Sequence, residues 1–482
     1  MIDPIAASID FNLIAPEIAL LAAAFIILVT GVVKDLGKFS PTIAASGLII
    51  SLLLAIGQLH KMESGFFGMV TIDNFSAVFK IIFAASSFVI LLIAQRFLIA
   101  KDLNRPEFYA LLCISTLGMM VMATTTDLVV IFLGLEIMSV PLYVMAGMDR
   151  NSLESNEAGI KYLVMGAFAS GFLLMGIAFI FGASGTTDLR RIAADFSYIA
   201  SNYRLYMYSG AALVLIGFAF KVAAVPFHTW VPDVYQGAPT PVTAFFSVGP
   251  KAAGFAALLR IFSFGFEDLQ ALSTIFWVIA VLTMTVGNVF ALRQNNVKRM
   301  LAYSSIAHAG YILVALAVGG NDAISAAIFY LIAYGLFNLG AFAIVTQLET
   351  RAGCKSEFTE LAGLSKAHPY LSTFLAIFMF ALAGFPPTIG FFGKFYLFSA
   401  AVNAGFIWLA VIGVLNSFIS VYYYFRVVKV SFLDKFEGVY SPVSYTPALI
   451  TVLVITIAGT IGLGIFPSQL LEFTRSAIFS IL

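Results

Sequence analysis

The sequence predicts an all-α integral membrane protein with about fourteen transmembrane helices. Composition comes first: 61% of the 482 residues are hydrophobic and only 11% are charged, at a mean hydropathy of +0.99. Soluble domains are about half apolar and roughly a quarter charged, so lipid is the expected solvent for most of this surface. The apolar residues also fall into runs of about 20, the length a helix needs to cross a bilayer. Finally, the loops between runs are short, and no stretch has the composition of a soluble domain.

The runs begin near Phe11, Pro41, Asn74, Phe108, Asp127, Lys161, Leu205, Pro241, Leu269, Tyr303, Ala323, Pro369, Ala404 and Pro447. Asp3, Asp10 and Glu17 make the start acidic, whereas a signal peptide needs a basic one, so the first run is expected to remain as a helix. Lysine and arginine in short loops set orientation. One set of alternate loops holds Lys34 and Lys38; Arg96, Lys101 and Arg105; Arg150; Arg293, Lys298 and Arg299; Arg351, Lys355 and Lys366; Arg426, Lys429 and Lys435. The other holds Lys61, Arg190, Arg191, Arg204, Arg260 and Arg475. The richer set is expected in the cytoplasm, which puts both termini outside for an even number of spans. Arg190, Arg191 and Arg204, in one outer loop, run against this pattern.

Several chemistries have no motif here. Cys113 lies in an apolar run and Cys354 in a charged loop, so no disulfide is expected between them. There is no CxxC, HExxH or Cys/His cluster to hold zinc, haem or an iron-sulfur cluster. No GxGxxG follows a strand-like segment and no P-loop is present, so any nucleotide would bind to another chain. A net charge of +1 without a long basic run gives nucleic acid nothing to hold.

Four ionisable residues lie far from the loops: Glu136, Lys221, Lys251 and Lys394. A charge at the bilayer centre costs about 2.5–3.5 kcal/mol, so four left in lipid would cost roughly 10–14 kcal/mol. They are expected to face the interior, pair, or contact water. The plain alternatives are a structural carboxylate for Glu136 and snorkelling for the lysines, but the lysines stand too deep in their runs to reach an interface readily. Lys80 differs, because it follows Asp73 by seven residues and is expected to reach the outer interface. Burial disfavours an ammonium and a nearby carboxylate favours it, so a lysine poised between the two can take up and release a proton.

Two helices read as broken. Lys221 is followed by Pro226 and by HTWVPDVYQGAPTPV, with three more prolines, and Lys394 is preceded by GFPPTIG. Proline removes an amide donor and clashes with the preceding turn. Freed backbone groups at membrane depth survive only inside protein or beside water, a common device of transporters. The breaks lie about five spans apart, an odd number, which is the geometry of an inverted repeat. Simple kinks are the bland alternative. His228, just past Pro226, and His308, in LAYSSIAHAGYIL, titrate near neutral pH and are candidate proton relays; each can equally be a packing residue.

The stretch FKVAAVPFHTWVPDVYQGAPTPVTAFFSVGPKAA, with NVKRMLAYSSIAHAGY and GFPPTIGFFGKFYLF, resembles the antiporter-like membrane subunits of respiratory complex I, and most of all the subunit N group of bacterial NADH-quinone oxidoreductases. The resemblance spans roughly Leu111 to Leu433. It implies one polytopic domain made of N-terminal helices (about 1–105), a five-helix repeat (about 106–265), an inverted second repeat (about 266–433) and a C-terminal helix (about 434–482). It implies breaks in the seventh and twelfth spans, pairing of Glu136 with Lys221, a central relay at Lys251 and a terminal proton site at Lys394. It also implies that this chain carries no cofactor or metal. Flavin, iron-sulfur clusters, NADH and quinone would belong to partner subunits, which include other antiporter-like membrane subunits and peripheral ones. The expected location is the bacterial inner membrane. Subunit M relatives are similar but have glutamate where this chain has Lys394, and subunit L relatives are longer. The alternatives are a subunit of a multisubunit cation/proton antiporter and a structural subunit that only scaffolds a complex.

Overall fold

A segment without water around it must satisfy its backbone amides internally, and a helix does so. The computed structural model describes residues 9–33, 35–264, 266, 270–350, 356–435 and 445–478. Asp3, Lys34, Leu269, Arg351, Cys354 and Lys355 lie outside the described residues. Among the described residues are 13 helices long and apolar enough to cross a membrane and one shorter apolar helix, Pro369–Ala383.

Three helices lead: α1 (Ala15–Val32), α2 (Ser40–Ile56) and α3 (Asn74–Ala100). Asp73 and Ser76 form a capping box at the start of α3. Before it stands a small antiparallel hairpin, β1 (Glu63–Gly65) with β2 (Val70–Ile72), within the otherwise helical architecture of the described residues. Its strands have three residues each, too few for a period-2 pattern to be read. Next come α4 (Pro106–Ala123), α5 (Leu128–Ala146), α6 (Leu153–Ser184), the short α7 (Leu189–Ala194) and α8 (Phe196–Asn202), α9 (Arg204–Val222), α10 (Trp230–Gly237) and α11 (Thr240–Phe264). The chain continues through α12 (Gln270–Ala291), α13 (Val297–Val318), α14 (Gly320–Glu349), the single turn α15 (Leu364–Ala367), α16 (Pro369–Ala383), α17 (Ile389–Asn403), α18 (Ile407–Leu433), α19 (Pro447–Ile465) and α20 (Pro467–Ser476).

Helix α6 starts at Leu153, well before the expected Lys161, because Ser152 caps it and Lys161 pairs with Glu157 and with Asp233 of α10. Helices α1, α2, α6 and α19 turn apolar faces outward, with Phe25, Leu53, Phe168 and Val454 exposed, as lipid contact requires. At the centre α11 is buried from Thr240 to Phe262, packed by α3, α4, α5, α9, α13 and α14. Close crossings use small residues: Gly118 of α4 faces Gly134 of α5, and a Cβ on Gly118 would stand 2.3 Å from the Met138 amide nitrogen.

Both expected breaks are present. Helix α9 ends where Ala223 turns left-handed (φ 65), and residues 223–229 run non-helically to α10. Helix α16 ends at Gly384 (φ 88), with residues 384–388 leading to α17. Two isolated backbone bridges fasten helix starts to later segments. Asp127, the N-cap of α5, pairs with Asp188, and Asn296, the N-cap of α13, pairs with Glu357.

Several basic residues read as loop residues lie inside helices, Arg96 in α3, Lys298 in α13 and Arg426 in α18 among them, and two basic residues stand furthest from expectation. Arg260 is not a loop residue: it lies inside α11, buried, donating to Asp73 (3.1 Å) and to the Ala123 carbonyl (2.9 Å). Lys80 does not reach an interface. Its side chain is 0% exposed, with Nζ 2.8 Å from Glu17 Oε1 and 2.9 Å from Gln58 Oε1.

Candidate functional site

Lys221 sits in the last turn of α9, just before the break. Its Nζ donates to Ser139 Oγ of α5 (2.8 Å) and to Tyr162 Oη of α6 (3.2 Å). The ring of Tyr162 also lies 5.4 Å from the ammonium, close enough for a cation–π contact. Trp230 stacks on Tyr162 at 4.4 Å and gives its Nε1–H to the Phe220 carbonyl (3.1 Å), so the start of α10 is pinned over the end of α9. Gly254 of α11 faces the stem of Lys221, where a Cβ would stand 3.6 Å from its Cγ.

Glu136 lies one turn before Ser139 on α5 and is half-buried. It accepts a hydrogen bond from Ser170 of α6 and forms no ion pair with Lys221 among the described residues. The two are indirectly joined. Ser139 and Ser170 line one small cavity with Lys221, about 10 Å³ in volume, room for about a single water. The turn of α5 explains the gap: Ser139 points at the lysine while Glu136 points at α6.

Lys251 lies near the middle of α11 and donates to the Ser305 carbonyl (2.7 Å) and to Ser305 Oγ of α13. Ser304, His308 and Tyr311 follow at i, i+4 and i+7 and share a face of α13. His308 is buried, with Nδ1 at 2.7 Å from Tyr330 Oη and Nε2 at 2.9 Å from Tyr424 Oη, which also bonds Ser304. Tyr311, a turn further on, presents its ring to Lys394 Nζ at 4.9 Å.

Lys394 closes this row. Its Nζ donates to the Leu382 and Ala383 carbonyls (3.1 and 2.9 Å) and to Ser417 Oγ (2.8 Å). The break supplies this seat, since carbonyls at a helix C-terminus lack intrahelical partners and carry the negative end of its dipole. Gly384 is required here: its φ of 88 suits glycine, and a Cβ would come within 3.0 Å of Lys394 Cδ. Lys394 also borders an apolar cavity of ≈ 730 Å³ between α16, α17 and α18.

Lys251, His308 and Lys394 are thus strung along one side of α13, with Lys221 beside α11. His228 stands apart. It lies in the first break, half-buried, and makes no hydrogen bond to the four charged residues among the described residues; its Nδ1 has no partner there. Sequence reasoning missed three buried ion pairs: Glu17–Lys80, Asp73–Arg260 and Lys298–Glu349. One signal was available for the first, because Glu17 lies inside an apolar run and a carboxylate there needs a cation.

Residues 125–420, which contain Glu136, Lys221, His228, Lys251, His308 and Lys394, match the family model described as NADH:quinone oxidoreductase/Mrp antiporter, TM. The chain is 45% identical to NADH-quinone oxidoreductase subunit N of Trichlorobacter lovleyi, over 98% of this chain and 97% of that one. The chain belongs to the subunit N family. Its fold is also similar to that of chains in solved respiratory membrane complexes. A chain of respiratory complex I from Thermus thermophilus with bound Aureothin superposes with a TM-score of 0.81 at 31% identity, covering 95% of this chain and 98% of that one. A chain of the membrane-bound sulfane sulfur reductase, an archaeal respiratory membrane complex, superposes with a TM-score of 0.87 at 26% identity, covering 98% of each.

Proposed function

We propose that this subunit N family member is a proton-translocating membrane subunit of a bacterial NADH-quinone oxidoreductase. The observation that carries the reading is the row of three lysines buried at membrane depth, two of them linked along α13 by Ser305, His308 and Tyr311. Each such charge is costly in a membrane, and a row of them marks an ion pathway. Quinone reduction on partner subunits perturbs Glu136 and Lys221, which communicate through Ser139, Ser170 and the cavity between them. When the anion is withdrawn, the Lys221 ammonium loses stabilisation and its proton passes to Lys251, on through His308, and out by way of Lys394. His228 is an auxiliary relay. Moving one proton against 100 mV requires about 2.3 kcal/mol. A change of about two units in a site's affinity for its proton supplies that, at about 1.36 kcal/mol per unit.

The two halves of the chain, 106–265 and 266–433, act as inverted five-helix repeats, with 1–105 and 434–482 flanking them. Two features support the division. The bridges Asp127–Asp188 and Asn296–Glu357 occupy equivalent places five spans apart, and each half has one broken helix beside a lysine. NADH, flavin, iron-sulfur clusters and quinone are handled by partner subunits, peripheral and membrane-embedded, other antiporter-like chains among them. The chain lies in the inner membrane with both termini on the periplasmic side. The removal of Arg260 from the outer loops strengthens the charge asymmetry behind that orientation.

Replacing Lys221 by alanine tests the reading. NADH-driven proton translocation by the assembled complex should be abolished or greatly reduced, with the chain still inserted; undiminished translocation sinks it. The family description also admits a subunit of a multisubunit cation/proton antiporter. Purification in mild detergent separates the two, since the first brings flavin and NADH-quinone reductase activity and the second brings neither.

A further inference from the structure

We propose that protons reach Lys251 from the cytoplasmic side along the α11–α14 interface, with Glu349 as the uptake carboxylate and Asn338 and Tyr334 as walls of a water file. The proposal rests on the reading of Lys251 as a proton site and adds the route that feeds it.

Helix α11 is buried from Thr240 to Phe262, yet it carries Thr240, Thr243, Ser247 and Lys251 at i, i+3, i+7 and i+11, a single polar stripe. The eleven residues from Thr240 to Lys251 rise about 16 Å, which is about half of a 30 Å hydrocarbon core. The stripe therefore leads from the cytoplasmic end of the helix to mid-membrane. Helix α14 runs antiparallel beside it with a matching set. Glu349 accepts from Thr240 at the cytoplasmic end, and Asn338 Nδ2 donates to Ser247 Oγ (2.6 Å) deeper in. Gly335 faces Val248, which fixes this turn of α14 against α11.

Beyond those contacts Asn338 Oδ1, Tyr334 Oη and Thr346 Oγ1 are buried with no hydrogen-bond partner among the described residues. All three lie on α14. Polar atoms at membrane depth are tolerated where water reaches them. Tyr334 also lies against His308, ring centroids 5.0 Å apart, so the file ends at the row described above.

At the cytoplasmic end Glu349 is buried and sits loosely with its cation. Lys298 Nζ is 3.6 Å from Oε1 and donates to the Ala238 carbonyl at 2.9 Å, while Ser356 gives its hydroxyl to the same carboxylate. A carboxylate held by hydroxyls beside a shared ammonium can take a proton, pass it inward through Thr240 and water, and return to the anion. Along the file only O–H bonds are made and broken, and at its end a neutral Lys251 amine gains an N–H bond.

The test is NADH-driven proton uptake into inverted membrane vesicles, with assembly of the complex followed on native gels. Glu349→Gln and Asn338→Leu are expected to lose uptake to the level of Lys251→Ala, while Glu349→Asp and Asn338→Ser, which keep an acid and a polar wall, retain it. Should Glu349→Gln fail to assemble, Asn338→Leu decides, because it leaves the ion pair intact. Uptake at the parental level in Glu349→Gln and Asn338→Leu, with Lys251→Ala inactive, overturns this route and leaves the function standing. Parental uptake in Lys251→Ala overturns the function itself.

Discussion

Replacing one member of the Glu17–Lys80 pair should cost far more than replacing both. Nζ and Oε1 are 2.8 Å apart, and the two side chains are 0% and 6% exposed, so water neither screens the attraction nor solvates a survivor. At 2.8 Å and an effective dielectric of about 20, the attraction is about 6 kcal/mol, most of it offsetting the desolvation of the two ions. Glu17→Leu leaves the Lys80 ammonium with Gln58 as its hydrogen-bond acceptor among the described residues. Lys80→Met leaves a buried carboxylate. Each single change should loosen the seating of α1 and α2 on α3 by about 3–5 kcal/mol, while the double variant should be near neutral or even stabilising. The assay is a double-mutant cycle on thermal retention of the assembled complex in mild detergent, followed by size-exclusion chromatography. If the double variant loses as much as the two singles together, the residues are uncoupled and the reasoning is refuted.

Three further outcomes are expected. Gly384→Ala forces a left-handed residue, at about 1–2 kcal/mol, and presses a Cβ on Lys394; translocation should fall while immunoblots show normal insertion. Tyr424→Phe leaves His308 Nε2 and Ser304 without a shared partner, a loss of about 1–3 kcal/mol, and should lower both the thermal midpoint and the translocation rate, with Tyr330→Phe repeating the effect from the Nδ1 side. A C-terminal alkaline phosphatase fusion should be active and a cytoplasm-only reporter silent; the reverse would invert the orientation and move the proposed uptake route to the other face.

Spans were legible because a bilayer enforces length and hydropathy helix by helix, and the starts near Asn74, Pro369 and Pro447 coincide with the helices. The burial of Lys221, Lys251 and Lys394 followed from their depth in apolar runs. Partners were not legible, because a partner is a property of packing. Lys80 read as a residue near an interface because its distance from Asp73 is visible and its contact with α1 is not. Arg260 read as a loop residue because nothing in the local sequence reveals that α11 continues past it to meet Asp73. The half-burial of Glu136 was hidden for another reason: α5 is apolar on all sides, so its sequence has no stripe to show which face turns inward. Ser139, which accepts from Lys221, is an ordinary serine until the helices are assembled.

The two isolated bridges bear on how force can travel through the bundle. At one, the Leu128 amide reaches the Thr187 carbonyl and the Leu189 amide reaches Thr126, both at 2.9 Å; at the other, Val297 reaches Ser356 (2.8 Å) and Phe358 reaches Asn295 (3.0 Å). A helix riveted at one end by paired backbone bonds resists sliding along its axis. Helices α5 and α13, which carry Glu136, Ser305 and His308, are therefore pinned at their starts. The non-helical segments at 223–229 and 384–388, each adjoining a lysine, belong to neither bridge. A push arriving from a neighbouring subunit would be absorbed there, where a small backbone displacement changes which carbonyl or hydroxyl an ammonium can hold.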